Sequence, residues 1–142
     1  MPSKKYQYSR FISPVGISRS PVISVIVSHR DRGNSTRPAD AIIDSGADVT
    51  MMDTAIADLL GIDLSKCPTD KIRGVTGEAQ VVAICEVKVQ INNFPESKPF
   101  YAKAYFIKGL HAAVLLGQED FFSNFDVSFS RKNDKFEITQ VE

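Results

Sequence analysis

A short apolar segment that ends at an acidic residue is the most informative part of this sequence. Residues 41–43, Ala-Ile-Ile, predict a buried strand, and Asp44, Ser45 and Gly46 follow directly. A serine and a glycine after such a run predict a tight turn. The turn places the Asp44 carboxylate on a loop at the end of the strand. Because aspartate is almost never fully buried unless it is paired, Asp44 is the first candidate for chemistry.

Size and charge limit the classes of protein to consider. The chain has 142 residues, of which 43% are hydrophobic and 24% charged, and no apolar run is long enough to cross a membrane. Seventeen basic residues balance seventeen acidic ones. A neutral chain has no overall field that would attract nucleic acid or an anionic membrane, so neither partner is predicted. Near-zero net charge favours self-association.

Metal and cofactor chemistry is not predicted from the remaining candidate ligands. Cys67 and Cys85 lack metal-like spacing and are interpreted as reduced thiols, and His29 and His111 lie far apart in the chain. The amino-terminal region matches no secretory signal. Its basic bias is compatible with an organelle transit peptide, but a short disordered tail is the preferred interpretation. A cytoplasmic protein is predicted.

The pattern of apolar residues predicts an all-β chain. Residues 1–20 lack periodicity and are interpreted as a flexible amino-terminal arm, followed by one domain over residues 21–142. Asp53 is a helix N-cap and Gly61 a helix end, and residues 118–124 are a candidate second helix. Strands or hairpin arms are predicted over residues 22–29, 39–43, 49–52, 71–73, 79–91, 100–107, 112–116, 127–130 and 136–139. Many short strands with one or two short helices favour a small closed β-barrel.

Three elements in this order resemble the retropepsins, the retroviral-type aspartic proteases. They are Asp44-Ser45-Gly46-Ala47 after the apolar strand, the glycine-tipped hairpin at residues 74–77, and Val114-Leu115-Leu116-Gly117 before a candidate helix. An isolated Asp-Ser-Gly is more often an ordinary strand-ending turn. The three elements together favour the resemblance, which covers residues 20–140. It implies a β-barrel of the acid-protease type with a flap hairpin, active as a homodimer.

The resemblance also implies a role for each site residue. Asp44 would be the catalytic carboxylate, and Ser45 and Gly46 would support the active-site loop across a two-fold axis. The substrate-binding residues would be Ala47 and Asp48 in the cleft and Gly74, Val75, Thr76 and Gly77 at the flap tip. Leu115, Leu116 and Gly117 would brace the catalytic loop from beneath. Ile84 and Val114 would be pocket walls.

Two features depart from the family pattern. Retroviral members usually carry an arginine just after the second glycine, whereas this chain has Gln118-Glu119-Asp120. The expected partner of Asp48 is therefore missing or is supplied by another residue. The amino-terminal segment is also longer than in the viral enzymes, so the terminal sheet of a dimer could be built differently.

The chemistry implied by the resemblance requires two carboxylates. One is deprotonated and activates water, and the other is protonated and polarises the peptide carbonyl. The sequence contains one Asp-Ser-Gly and no Asp-Thr-Gly, so the second carboxylate would come from Asp44 of another copy. The expected function is a homodimeric aspartic endopeptidase that acts on extended polypeptide without a cofactor, with a bell-shaped, acid-leaning pH profile. The alternative is a catalytically silent retropepsin-like module for dimerisation or peptide binding.

Overall fold

Twelve strands and one short α-helix make up the fold in the computed structural model, which describes residues 1–73 and 77–142. The strands are β1 Ser3–Gln7, β2 Ser9–Ser13, β3 Gly16–Ser20, β4 Val22–His29, β5 Ala39–Ile43, β6 Thr50–Asp53, β7 Thr69–Arg73, β8 Ala79–Ile91, β9 Phe100–Ile107, β10 Val114–Leu116, β11 Phe125–Ser130 and β12 Lys135–Gln140. The helix α1 is Thr54–Leu60, and short 3-10 turns occupy Leu64–Lys66 and Arg131–Asn133.

Six strands close into a barrel. The order β4-β5-β10-β6-β9-β8 is completed by pairing of β8 with β4, and β7 continues the sheet beyond β8. The pairs β5–β10 and β6–β9 are parallel, and the others in the ring are antiparallel. The inner face is apolar because residues alternate along each strand, as in β4, where Ile23, Val25 and Val27 are buried. The predicted small closed barrel is confirmed.

The helix begins and ends where the sequence predicts. The Asp53 side chain accepts a hydrogen bond from the backbone of Ala55, and Gly61 closes the helix in the left-handed conformation with a φ of 71°. Ile56, Ala57 and Leu60 turn inward onto the barrel. Within residues 1–73 and 77–142, no helix is long and apolar enough to cross a membrane.

The segment over residues 118–124 is a series of turns, so the prediction of a second α-helix there was wrong. Asp120 has a φ of 72°, a left-handed conformation that interrupts a right-handed helix. The fully buried ring of Phe121 instead stacks on Phe125, with ring centroids 5.0 Å apart. Packing of this aromatic pair fixes the path of the chain after β10.

The amino-terminal segment contains strands where the sequence predicted an arm without regular structure. β1 pairs with β12, which also pairs with β11, so these strands form a three-stranded sheet outside the barrel. β2 and β3 form a separate hairpin. The pairing of β1 joins residues more than a hundred positions apart, and no local pattern in residues 1–20 reveals it. The division at residue 21 into arm and domain stays a prediction.

Candidate active site

Asp44 lies on the loop that leaves strand β5, with its side chain half-buried. Its backbone N–H donates to the carbonyl oxygen of Leu116 over 2.9 Å, which continues the parallel pairing of β5 with β10 by one residue. Its Oδ1 accepts from the backbone N–H of Gly46 at 3.0 Å, and its carbonyl accepts from that of Ala47 at 3.1 Å. The carboxylate is therefore held by a closed turn on the end of a buried strand.

Ser45 and Gly46 form the exposed apex of this turn. A Cβ on Gly46 would lie 3.3 Å from the Asp44 Oδ1, which is tight but clears the backbone. Both residues thus lie at the surface, next to the half-buried carboxylate of Asp44. A second molecule can approach the chain closely here because the apex carries no bulky side chain.

The segment after β10 crosses directly over the Asp44 loop. Gly117 is buried, and a Cβ there would lie 2.3 Å from the carbonyl oxygen of Val49 and 2.7 Å from that of Ala47. Only a residue without a side chain allows this approach. Beyond it, the backbone N–H groups of Gln118 and Glu119 donate to the carbonyls of Ala47 and Asp48 at 2.8 and 2.9 Å.

Gln118 occupies the position at which retroviral relatives usually carry an arginine. Its Nε2 donates to the carbonyl oxygen of Ser45 at 2.8 Å, so it reaches the Asp44 loop from the segment after β10. The sequence predicted no contact between Gln118 and the Asp44 loop. The place of Gln118 directly after Gly117 was the available signal.

The other predicted site residues fall into three groups. Ala47 is half-buried and Asp48 is exposed, and both lie on the Asp44 loop. Gly77 is exposed, and its carbonyl accepts from Nη1 of Arg73 at 3.2 Å across the base of the hairpin. The flap-tip predictions for Gly74, Val75 and Thr76 lie outside the described residues.

Strand β10 lies in the core beneath the site. Leu116 is fully buried and Leu115 is 7% exposed, consistent with the bracing position that the sequence predicts. Val114 is also fully buried, so its prediction as a pocket wall was wrong. All three residues of β10 are buried, so both faces of this strand are covered. Ile84 is half-buried in β8.

The sequence matches a known protein family. Residues 29–119 match the model of a family described as aspartyl protease. The match spans well over half of the chain and includes Asp44, the turn that follows it and Gly117. The chain belongs to the aspartyl protease family. It is a hydrolase that acts on peptide bonds.

Solved structures show the same fold for this aspartyl protease. A retropepsin-like aspartic protease from Rickettsia conorii superposes with a TM-score of 0.56 at 17% identity, covering 94% of this chain and 95% of that one. The predicted resemblance to the retropepsins is confirmed. No curated protein matches the sequence.

Two retroviral enzymes are also similar but superpose less well. The simian foamy virus protease has 16% identity and a TM-score of 0.45, covering 70% of this chain and 90% of that one. The EIAV protease bound to an inhibitor has 21% identity and a TM-score of 0.47, covering 70% and 83%. At these scores they carry no argument about the site.

Among the residues that the structure describes, no group of three or more His, Cys, Asp or Glu side chains could hold a metal ion. Asp44 is the acid that the surrounding backbone positions, since β5, β10 and the Gly117 crossing all converge on its loop.

Proposed function

We propose that this aspartyl protease is a homodimeric endopeptidase in which Asp44 from each of two copies acts on one extended polypeptide. The observation that carries the proposal is the placement of Asp44. One acid stands half-buried at the chain surface, on a turn held in place by three hydrogen bonds from backbone N–H groups and by the close crossing at Gly117. Groups held this rigidly are suited to chemistry that needs accurate geometry.

The proposed mechanism divides the work between two identical carboxylates. The deprotonated Asp44 takes a proton from water, and the water oxygen attacks the peptide carbonyl carbon. The protonated Asp44 of the second copy donates to the carbonyl oxygen, and a proton then passes to the leaving nitrogen. Because the proposed mechanism needs one protonated and one deprotonated carboxylate, we expect an acid-leaning, bell-shaped pH profile of cleavage.

The supporting loop has a role in bringing the two acids together. Ser45 and Gly46 are exposed at the apex, so the proposal places them against the same residues of the second copy. Ala47 and Asp48 follow on the same loop and would hydrogen-bond the backbone of an extended substrate. Gly74, Val75, Thr76 and Gly77 would form the tip of a flap over that substrate.

The cytoplasmic location and the independence from metal stay predictions from the sequence. So does the assignment of residues 21–142 as the catalytic domain. The alternative, a silent binding module, is distinguished from the proposal by turnover alone.

The test is a cleavage assay on a diverse peptide mixture from acidic to neutral pH. We expect Asp44→Asn to lower the rate by roughly 10³-fold or more, because the amide cannot activate water. Asp58→Asn is the matched control, since it makes the same chemical change on the exposed side of α1. Products are identified by mass spectrometry.

Equal cleavage by wild type and Asp44→Asn would contradict the proposal. An absence of cleavage by all three proteins, with a stable dimer in solution, would favour the silent module.

A further inference from the structure

The hairpin formed by β2 and β3 exposes an unusual amount of apolar surface. Phe11 is 48% exposed, Ile12 85%, Val15 97% and Ile17 56%. Four large apolar side chains within seven residues form a cluster rather than scattered surface positions. Clusters of this kind on soluble proteins mark interaction sites.

The register of the hairpin brings two of these side chains together. Ile12 and Ile17 are directly opposite each other in the ladder, so they project from the same face, and Val15 lies in the turn between the strands. Among the described residues, the β2–β3 ladder joins no further strand. An isolated two-stranded hairpin is only marginally stable in water, so this one gains most from a surface that covers its apolar face.

The hairpin leaves the barrel beside the Asp44 loop. The carbonyl of Pro21, just after β3, accepts from the backbone N–H of Ile43 at 2.9 Å, and Val22 pairs with Ile42. Ile43 is the residue before Asp44. The base of the hairpin and the catalytic turn therefore share one end of the barrel.

The other end of the hairpin base is fixed to the terminal sheet. Arg19 lies 3.3 Å from the carboxylate of Asp134 and Arg10 lies 3.8 Å from it, and the backbone N–H of Tyr8 donates to the Asp134 carbonyl at 2.9 Å. These contacts hold the polar base of the hairpin, while its apolar tip remains uncovered.

We infer that the β2–β3 hairpin is a dimerisation element that packs Ile12, Val15 and Ile17 against a second copy of this chain. This inference rests on the proposed function, which requires a second copy at Asp44. A copy that meets the chain at that end of the barrel is already beside the base of the hairpin. Burial of the hairpin then adds apolar contact area to a catalytic turn whose exposed apex is only Ser45 and Gly46.

The test is the dimer dissociation constant of the full chain, measured by sedimentation over a dilution series. We expect the double variant Ile12→Ser/Ile17→Ser to raise this constant roughly 100-fold or more, because both copies lose buried apolar anchors. Its activity per chain would fall at low protein concentration and return at high concentration. Val15→Ser would give a smaller change in the same direction.

Leu59→Ser is the matched control. Leu59 is 63% exposed on α1, so the substitution removes a similar apolar side chain from another surface. It should leave the dissociation constant unchanged. Circular dichroism of all variants should match the wild type, and so should their urea midpoints at protein concentrations low enough to keep every variant monomeric, since the substituted side chains are exposed.

Failure of this inference is distinguishable from failure of the proposed function. A double variant that dimerises like the wild type would overturn the inference, even if the enzyme cleaves peptides through Asp44. Dimers of wild type and Asp44→Asn that both dissociate on the double substitution would support it, even if no peptide is cleaved. A wild type that stays monomeric at every concentration would overturn it and would indicate that another protein covers the hairpin.

Discussion

At the scale of single residues, the close approach of the segment after β10 to the Asp44 loop matters to the candidate site as much as the acidic side chain does. Asp44 could form the same turn on many strand ends, since Asp-Ser-Gly is a common turn sequence. Gly117 distinguishes this chain, because its missing side chain lets the segment after β10 lie against the carbonyls of Ala47 and Val49. The loop that carries the acid is thus fixed by a residue 73 positions away in the chain.

Gly117→Ala should destabilise the protein and abolish cleavage. The added Cβ would lie 2.3 Å from the Val49 carbonyl oxygen, so the backbone must shift. We expect a loss of at least about 2 kcal/mol in the free energy of unfolding, measured by urea denaturation. Gly33→Ala is the control, because a Cβ there meets nothing within 4 Å and should change neither quantity. A Gly117→Ala protein with wild-type stability and activity would refute the bracing role of this residue.

Asp120 is a second residue with a measurable signature. Burial, and next the charge of Glu119, raise its pKa above the ordinary value, while the hydrogen bond from the Lys103 backbone, 3.0 Å long, lowers it. The folded state therefore binds the Asp120 proton more tightly than the unfolded state does. The stability contributed by this group is present below the ordinary carboxyl pKa and is lost as pH rises through the raised value.

Asp120→Asn should therefore stabilise the protein at neutral pH relative to the wild type. Asparagine keeps an acceptor for the Lys103 N–H and tolerates the φ of 72°. The gain should shrink as pH falls below the carboxyl range, measured by urea denaturation at several pH values. A gain in stability that does not change with pH would show that the charge on Asp120 does not destabilise the folded state. A wild type that is more stable than Asp120→Asn at neutral pH would show the same.

At the scale of elements, the site is a junction between β5, β10 and the segments that follow them. Leu116 pairs with Ile43 in parallel, and the two segments that follow these strands are then joined by hydrogen bonds beyond the strand ends. Gln118 adds a side-chain bond to the Ser45 carbonyl at this junction. A neutral side chain therefore donates to the Asp44 turn from the segment after Gly117.

Gln118→Ala should loosen this junction while the barrel remains folded. Loss of one hydrogen bond is expected to cost about 1 kcal/mol in the free energy of unfolding. The rate constant for cleavage should fall more than the apparent affinity for substrate changes, since the bond positions the turn that carries Asp44. Gln118→Arg keeps an N–H donor and should retain most of the activity. Equal loss in both variants would mean that the size of the side chain, and not its donor, is what matters.

The elements that the sequence predicted correctly are those with strong local signals. Strands β4, β5 and β9 and the cap of α1 follow from apolar alternation and from Asp53 and Gly61. The predicted helix at 118–124 failed because Asp120 adopts a left-handed conformation that packing of Phe121 favours. Strand β1 was missed because its partner β12 lies at the opposite end of the chain.

The site was predicted in part for the same reason. Asp44, Ser45 and Gly46 form a contiguous motif, so the sequence located the turn. The contact of the Gln118 side chain with Ser45 depends on the parallel pairing of β5 with β10, and its one signal in the sequence was the place of Gln118 directly after Gly117. Burial of Val114 likewise depends on the tertiary packing that covers both faces of β10.

At the scale of the whole molecule, one chain supplies one Asp44 and an exposed apolar hairpin whose base lies at the same end of the barrel. The proposed association with a second copy would use both features. Zero formal net charge at neutral pH removes long-range repulsion between copies. The central claim is that each active site uses an acid from two chains.

Subunit mixing tests that claim most directly. Wild type and Asp44→Asn are denatured, mixed in varied proportions and refolded together at constant total concentration, and peptide cleavage is then measured. If both acids are required, only dimers of two wild-type chains are active, so an equal mixture retains roughly a quarter of the wild-type rate. Mixing with Asp58→Asn should leave the rate unchanged. A rate that falls in direct proportion to the wild-type fraction, to roughly half in the equal mixture, would show that each chain acts alone and would contradict the account.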